Sequence, residues 1–300
     1  MKNKTLIFLH ISKTAGTTLK QIIYRHIQGE NIYRIPSGDS EIKKLIEKLD
    51  DSKQKIQLIH GHIPFGIHEY LPNQSEYITI IRNPIARIIS RYYFTVNHKN
   101  HPQSKLFNDL GFENFIQEDN IITSNFQTRL LLGQSIDLTN YKNFSSLTKN
   151  AIGEVKQNLE NFFSVVGTPE KFNEVVLLLG EKYRWQKLWY TNKRITRGKI
   201  NIKNIPPYII RILEEKNTLD MELFEYATKR IEREINNRGA KFQIELTNFK
   251  KENKYKGLIY SILESIYKKI GAFLNPKAKP FFKKLFSSIK PAWKYEREII

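Results

Sequence analysis

The most constraining feature of the sequence is a change of pattern close to its amino-terminal end. Residues 5–11 are mostly apolar, as in a strand that is buried on both faces of a sheet. A turn of small and hydroxylated residues follows, and residues 18–27 then have apolar side chains at helical spacing. A buried strand that passes through a short turn into a helix is typical of a parallel α/β sheet.

The following 200 or so residues continue this alternation. Strands are predicted at 56–62, 77–81 and 162–167, and helices at 41–49, 84–94, 170–179 and 220–236, with a mostly helical stretch over 107–159. The alternation predicts an α/β fold with a parallel β-sheet flanked by helices. In such sheets, ligands bind at the carboxyl ends of the strands.

The composition changes beyond residue 247. Residues 250–300 contain 13 Lys and Arg but four Asp and Glu, and apolar residues recur at helical spacing over 255–274 and again over 281–289, followed by Trp293. We therefore expect a domain over 1–248 and a basic, helical, amphipathic extension over 249–300. Such helices bind anionic membrane surfaces, although packing of the first one on its own domain is an equally open alternative.

The net charge and the amino-acid composition of the chain limit the classes of molecule that it is expected to bind. The 300 residues carry a net charge of +19, which favours polyanions, nucleotides or anionic membranes as partners. Cysteine is absent, which excludes disulfides and cysteine-based chemistry. No apolar stretch has the length of a membrane span. Because a strand is predicted from residue 5, we expect no signal peptide. We expect a cytoplasmic protein, with peripheral contact at the inner face of the membrane through the basic tail.

The turn after the first strand has the composition of an anion site. Backbone N–H groups converge at a strand-to-helix turn, and the helix dipole adds positive potential. Lys13 adds a full charge, and Thr17 and Thr18 add hydroxyl donors. A Walker A loop has its lysine after the second glycine, whereas Lys13 precedes Gly16, so a standard ATPase or GTPase is not predicted. An ordinary turn with a solvated lysine is the alternative.

A second basic cluster follows the strand at 77–81. Arg82 comes directly after this strand, and Ser90 comes eight residues later, on the predicted helix. An arginine at a strand end is suited to bind a phosphate in bidentate fashion, and a serine hydroxyl can donate to the same group. Arg87 and Arg91 lie on the same helix, for which a solvated basic face is the alternative interpretation.

Two histidines end the strand at 56–62. His60 and His62 are two residues apart, so they should lie on one face of the strand, with Gly61 between them. A histidine there could be a general base, since its ordinary pKa is near 6.5. The same pair could instead hold a metal together with His68 and Glu69, or be structural.

Together these segments resemble one family. "FLHISKTAGTT", "IRNPIARIISRYY" and "HGH" are similar to motifs of sulfotransferases, in particular of a carbohydrate branch that includes heparan sulfate 2-O-sulfotransferase, in its bacterial form. Segments 124–133, 158–179 and 220–227 also resemble members of this branch, so the similarity covers about residues 4–236. Ser12 stands where the family usually has proline, and 95–124 resembles nothing in it.

The resemblance implies a P-loop-NTPase-like sulfotransferase fold and a reaction. A sulfuryl group would move from 3′-phosphoadenosine 5′-phosphosulfate (PAPS) to a hydroxyl of a carbohydrate, either a polysaccharide or a glycolipid. Arg82 and Ser90 would bind the 3′-phosphate, and the 5′-phosphosulfate would be bound by Lys13, Thr14, Ala15, Gly16, Thr17 and Thr18. Lys13 would also neutralise the leaving oxygen, and His62, or with less support His60, would be the base. This scheme needs neither a metal nor a nucleic acid.

Two other classes remain open from the residues alone. One is a phosphotransferase related to nucleotide or sugar kinases, which would need a carboxylate for Mg²⁺, yet no aspartate ends any of these strands. The other is a non-catalytic protein that binds polyanions, which the charge alone would favour. The acceptor sugar, the position sulfated and the oligomeric state are not indicated by any motif.

Overall fold

A computed structural model of the chain describes residues 4–27, 29–35, 56–134, 142–192, 198 and 200–273. The helix expected at 41–49 lies outside the described residues, as does the second amphipathic segment at 281–289 with Trp293. Within the described part, no helix is long and apolar enough to cross a membrane.

The centre of the fold is a parallel sheet of five described strands. They are β1 (Thr5–Leu9), β2 (Ile32–Ile35), β3 (Leu58–Gly61), β4 (Ser75–Ile80) and β5 (Phe163–Gly167). Their order is β2-β3-β1-β4-β5, and every neighbouring pair is parallel. The predicted α/β fold is confirmed, and β1, β3 and β4 end side by side. The short edge strand β2 is not predicted by the sequence pattern.

Helices surround this sheet. Those described are α1 (Gly16–Ile23), α2 (Pro84–Asn97), α3 (Ser104–Gln117), α4 (Phe126–Leu131), α5 (Ala151–Phe162), α6 (Phe172–Tyr183), α7 (Pro207–Lys216), α8 (Thr218–Asn236) and α9 (Gly239–Phe273). Short 3₁₀ turns occur at Gly29–Asn31, Ile67–Tyr70, Pro169–Lys171 and Ile202–Asn204. The described part of the basic extension, residues 249–273, is helical as expected, but α9 begins before it, so the expected boundary between residues 248 and 249 falls within a continuous helix.

The two faces of the sheet are buried by different helices. Along β1, Leu6 and Phe8 pack into one apolar cluster with α1, α6, the end of α8 and part of α9, while Ile7 and Leu9 pack into a second with α4, α5 and the first half of α8. This double burial is why β1 is apolar without alternation. A third cluster joins α2 to α3 and α7 and holds α2 beside the carboxyl edge of the sheet.

Candidate functional site

Hydrogen bonds join the three sequence motifs at the carboxyl edge of the sheet. The backbone N–H of His10 donates to the carbonyl of Gly61 (3.0 Å), which links the ends of β1 and β3. Nδ1 of His62 lies 2.6 Å from the carbonyl oxygen of His10. On the other side, the guanidinium of Arg82 donates to the carbonyl of Lys13 (2.8 Å). The loop after β1 therefore contacts both other motifs.

This loop has an unusual backbone. Lys13 and Ala15 have left-handed conformations, with φ of 68° and 70°. Each costs a non-glycine residue about 1–2 kcal/mol, and such strain concentrates at functional sites. The Thr14 hydroxyl donates to the carbonyl of Ile11 (2.8 Å) and stabilises the turn from inside. Left-handed residues in a turn also build the concavities in which backbone N–H groups bind anions.

The residues of the loop after β1 differ in their accessibility to a ligand. Thr14 and Thr18 are buried, whereas Lys13 and Thr17 are half-buried. Thr17 is therefore the most accessible of the three threonine residues. Nζ of Lys13 lies 4.0 Å from the centroid of the Phe94 ring on α2, so the lysine is held between the loop and this helix by a cation–π contact.

Because Gly16 has no side chain, its backbone lies closer to the His10 ring than any other residue type would allow. A Cβ atom at Gly16 would lie 2.0 Å from Cδ2 of His10. His10 stacks on Phe8, with ring centroids 5.2 Å apart, and its ring centroid lies 4.5 Å from that of His62. His10 is thus a third histidine of the site, which the sequence interpretation missed because it lies within the predicted strand at 5–11.

The backbone of Arg82 is clamped by a buried glutamine. The N–H of Arg82 donates to Oε1 of Gln127 (3.0 Å), and Nε2 of Gln127 donates to the carbonyl of Arg82 (2.7 Å). Asp220 on α8 in turn accepts hydrogen bonds from the backbone N–H groups of Gln127 and Thr128, at 3.0 and 2.7 Å. Burial lowers the pKa of Arg82, and a nearby Glu170 partly offsets this.

The arginines of α2 do not form a solvated basic face. Arg87 is fully buried, donates to the carbonyl of Ile122 (2.6 Å) and lies 4.4 Å from the Phe126 ring centroid. Arg91 is 8% exposed and donates to Gln103 (3.1 Å). Desolvation lowers the pKa of each arginine to about 10. The solvated interpretation was wrong because residues between 100 and 125 cover this helix.

Ser90 is buried on the same helix. Only 4% of the residue is exposed, so a small part of it is open to a ligand. Phe94, whose ring Lys13 contacts, follows Ser90 by one turn of α2. The structure thus brings Arg82 into direct contact with the loop after β1 and places Ser90 on the helix that lines this loop.

The two predicted histidines have different environments. His60 is buried in β3 and its Nε2 is hydrogen-bonded to the Tyr24 hydroxyl. Desolvation, followed by the charges of Lys20 and Arg34, lowers its pKa to about 3. His62 follows the end of β3 and is exposed. The two histidines therefore do not share one solvent-facing strand surface.

The hydrogen bond of His62 defines its tautomer. A carbonyl oxygen can only accept, so Nδ1 carries the proton and, in the neutral ring, Nε2 carries the lone pair. Although the residue as a whole is exposed, desolvation at its ring lowers the pKa of His62 below its ordinary value. The hydrogen bond to the His10 carbonyl opposes this shift, and the charges of Arg91, Lys20 and Arg34 add to it. The ring is thus neutral at pH 7 and can accept a proton at Nε2.

The alternative metal set is not assembled. Nδ1 of His68 lies 3.0 Å from the Tyr77 hydroxyl, and its ring packs on Phe162 with centroids 4.4 Å apart. His68 therefore belongs to an aromatic cluster. Across the described ranges, no group of three His, Cys, Asp or Glu side chains is arranged to hold a metal ion.

Comparison with known proteins identifies a family. A family model described as "Sulfotransferase family" matches residues 1–227. A protein-tyrosine sulfotransferase of Arabidopsis thaliana is 32% identical over 94 residues, which are 30% of this chain and 17% of the relative. Human galactose-3-O-sulfotransferase 2 is 25% identical over 101 residues, 30% of this chain and 25% of the relative. The matched segments are thus a quarter or less of each relative.

Among solved structures, the crystal structure of mouse sulfotransferase SULT7A1 complexed with PAP is similar to this chain with a TM-score of 0.32 and 15% identity. It covers 78% of this chain and 89% of the mouse chain.

Proposed function

Because the chain belongs to the sulfotransferase family, we propose that it transfers a sulfuryl group from PAPS to a hydroxyl group of a carbohydrate. The observation that carries the proposal is the meeting of two basic elements, the loop after β1 and Arg82, beside a neutral histidine. A donor with anionic groups at both ends needs two cationic sites. Lys20, Arg34 and Arg91 add positive charge around the two histidines.

In the proposed complex, the loop residues 13–18 bind the 5′-phosphosulfate. Backbone N–H groups and the Thr17 hydroxyl donate to its oxygens, and the amino end of α1 adds positive potential. Arg82 binds the 3′-phosphate together with Ser90. Gln127 holds the Arg82 backbone, and the Arg82 guanidinium donates to the Lys13 carbonyl. The guanidinium is therefore directed before the donor arrives, which reduces the entropy lost on binding.

In the proposed reaction, one bond to sulfur forms while another breaks. The acceptor oxygen attacks sulfur, and the bond between sulfur and the bridging phosphate oxygen breaks. Lys13 stabilises the negative charge that develops on this leaving oxygen. Nε2 of His62 takes the proton of the acceptor hydroxyl, and adenosine 3′,5′-bisphosphate (PAP) leaves. His60, buried and bonded to Tyr24, positions the end of β3.

The carbohydrate acceptor is supported by the resemblance of the three motifs to the carbohydrate branch and by the similarity to galactose-3-O-sulfotransferase 2. The similarity to a protein-tyrosine sulfotransferase makes a tyrosine hydroxyl the second candidate acceptor. A carbohydrate hydroxyl has the greater need for a base, since its pKa is well above that of a phenol, which is near 10.

Isothermal titration calorimetry with PAP in the presence of EDTA tests the proposal against the kinase alternative. We expect the wild-type protein to bind PAP without Mg²⁺. Arg82→Ala should weaken binding by about tenfold or more, since a charge-assisted hydrogen bond contributes about 1.5–3 kcal/mol, and Ser90→Ala should have a smaller effect. Binding of ATP that requires Mg²⁺, without binding of PAP, would support a phosphotransferase instead.

A further inference from the structure

Helix α9 packs on the domain along one side. Phe242, Leu246 and Phe249 are buried on this side. Asn253 accepts a hydrogen bond from the backbone of Tyr190 (2.7 Å), and a Cβ atom at Gly257 would lie 2.8 Å from the Tyr190 carbonyl oxygen. At 3.6 residues per turn, these five residues of α9 fall within about 80° around the helix axis.

The opposite side of α9 carries a second apolar surface, which we call the apolar stripe. Its members are exposed large side chains within about 100° of one another around the axis. Tyr255 is 68% exposed and Ile262 is 50% exposed, and the complete set is Tyr255, Leu258, Ile259, Ile262 and Ile266. From 258 to 266, every side chain that the structure describes is exposed. The apolar pattern on the exposed side of α9 therefore continues beyond Gly257.

Lysines accompany the apolar stripe. Lys251 is exposed in line with the stripe, one turn before Tyr255, and Lys254 is exposed along one border. Lys256 lies beyond the other border, where it pairs with Glu252 and contacts the Trp189 ring. The whole segment 250–300 contains 13 basic and four acidic residues. An apolar face bordered by lysines is the pattern of helices that lie in the interface of anionic bilayers.

We propose that the apolar stripe docks on an anionic lipid surface. Near such a surface each Lys or Arg adds electrostatic attraction, so that the charge and the apolar side chains act together. Pairing with the stripe of a second copy would instead bring two strongly basic segments together, which costs electrostatic energy. This proposal does not depend on the proposed reaction, because none of its residues belongs to the sheet edge described above.

Co-sedimentation of the full chain with large unilamellar vesicles tests this proposal. One vesicle preparation contains phosphatidylglycerol and phosphatidylethanolamine, and the other contains phosphatidylcholine alone. The test variant is Ile262→Glu. The matched control is Ile202→Glu, which places the same charge at an isoleucine of similar exposure (46%) in a 3₁₀ turn outside α9.

We expect the wild-type protein and Ile202→Glu to sediment with the anionic vesicles and not with phosphatidylcholine. Ile262→Glu should partition at least about tenfold less, since it removes an apolar side chain and adds a negative charge. Raising the salt concentration should weaken binding of the wild-type protein.

Four outcomes would overturn the proposal. They are absence of binding to anionic vesicles, equal binding to phosphatidylcholine, equal loss in both variants, and binding that survives Ile262→Glu. Analytical ultracentrifugation and thermal unfolding identify the other occupants. A dimer that Ile262→Glu dissociates would assign the stripe to a second copy, and a lower Tm of this variant would assign it to another segment of the same chain.

Discussion

Gln127→Leu tests the clamp on Arg82. The side chain of Gln127 is fully buried and makes two hydrogen bonds, both to the backbone of Arg82. Leucine has a similar size but can neither donate nor accept. The substitution therefore leaves the N–H and the carbonyl of Arg82 without these partners.

The expected loss of stability follows from these two hydrogen bonds. Each buried backbone group without a partner costs about 1–3 kcal/mol. At the low end the free energy of unfolding falls by about 2 kcal/mol, and Tm by about 4–8 °C for a domain of this size. The affinity for PAP should also fall by about tenfold, because an arginine–phosphate hydrogen bond contributes about 1.5–3 kcal/mol and depends on the direction of the guanidinium.

Asn217→Leu is the matched control. Asn217 is equally buried and hydrogen-bonds the backbone of Thr123, Leu213 and Asn125, at 2.6, 2.8 and 3.1 Å. It should lower Tm at least as much as Gln127→Leu, but it should change the Kd for PAP less than about twofold, because it does not bind Arg82. Thermal unfolding and calorimetry well below both Tm values separate the two effects. Equal changes of Kd in the two variants would refute a specific role of Gln127.

Three further predictions concern the histidines. Gly16→Ala places a Cβ atom 2.0 Å from the His10 ring, so this ring must move from its position beside His62. We expect a lower kcat in a protein that circular dichroism shows to be folded. An unchanged kcat would contradict this role of Gly16. Folding lowers the pKa of His60 from 6.5 to about 3, so the free energy of unfolding is highest above pH 6.5 and decreases as the pH falls toward 3. His60→Gln should make this decrease less steep when Tm is measured against pH. An unchanged slope would assign the decrease to other groups. His62→Ala should lower kcat by about 10²–10⁴-fold, the usual contribution of a general base, with little change in the Kd for PAP, and near-normal kcat would place the base elsewhere.

The positions of the main strands along the chain could be predicted because both faces of the sheet are buried. Double burial makes β1, β3, β4 and β5 mostly apolar, and this bias is visible in a single sequence. The small residues after β1 and the arginine after β4 begin where an apolar strand ends, so the sequence also indicated the carboxyl edge of the sheet. The edge strand β2 has four residues with Arg34 among them, which is too short and too polar for a clear pattern.

Contacts between distant buried polar residues could not be predicted. Gln127 lies 45 residues from Arg82, and Asp220 lies 93 residues from Gln127, so no local spacing connects them. Arg87 and Arg91 are one turn apart, and this spacing is the same on a solvated and on a buried helix face. His10 lies within the predicted strand at 5–11, and the sequence does not show that its ring fits beside Gly16 only because glycine has no side chain.

The proposed function assigns sulfuryl transfer to the carboxyl edge of the sheet. Its most direct test is incubation with PAPS labelled with radioactive sulfur, EDTA, and a panel of polysaccharides, glycolipids and tyrosine peptides. The proposed function predicts label on a carbohydrate with the wild-type protein, and a large loss of transfer with Lys13→Ala and with His62→Ala. Label on a tyrosine peptide alone would contradict the carbohydrate acceptor. PAPS binding without transfer to any acceptor, or transfer unchanged in both variants, would contradict the site itself.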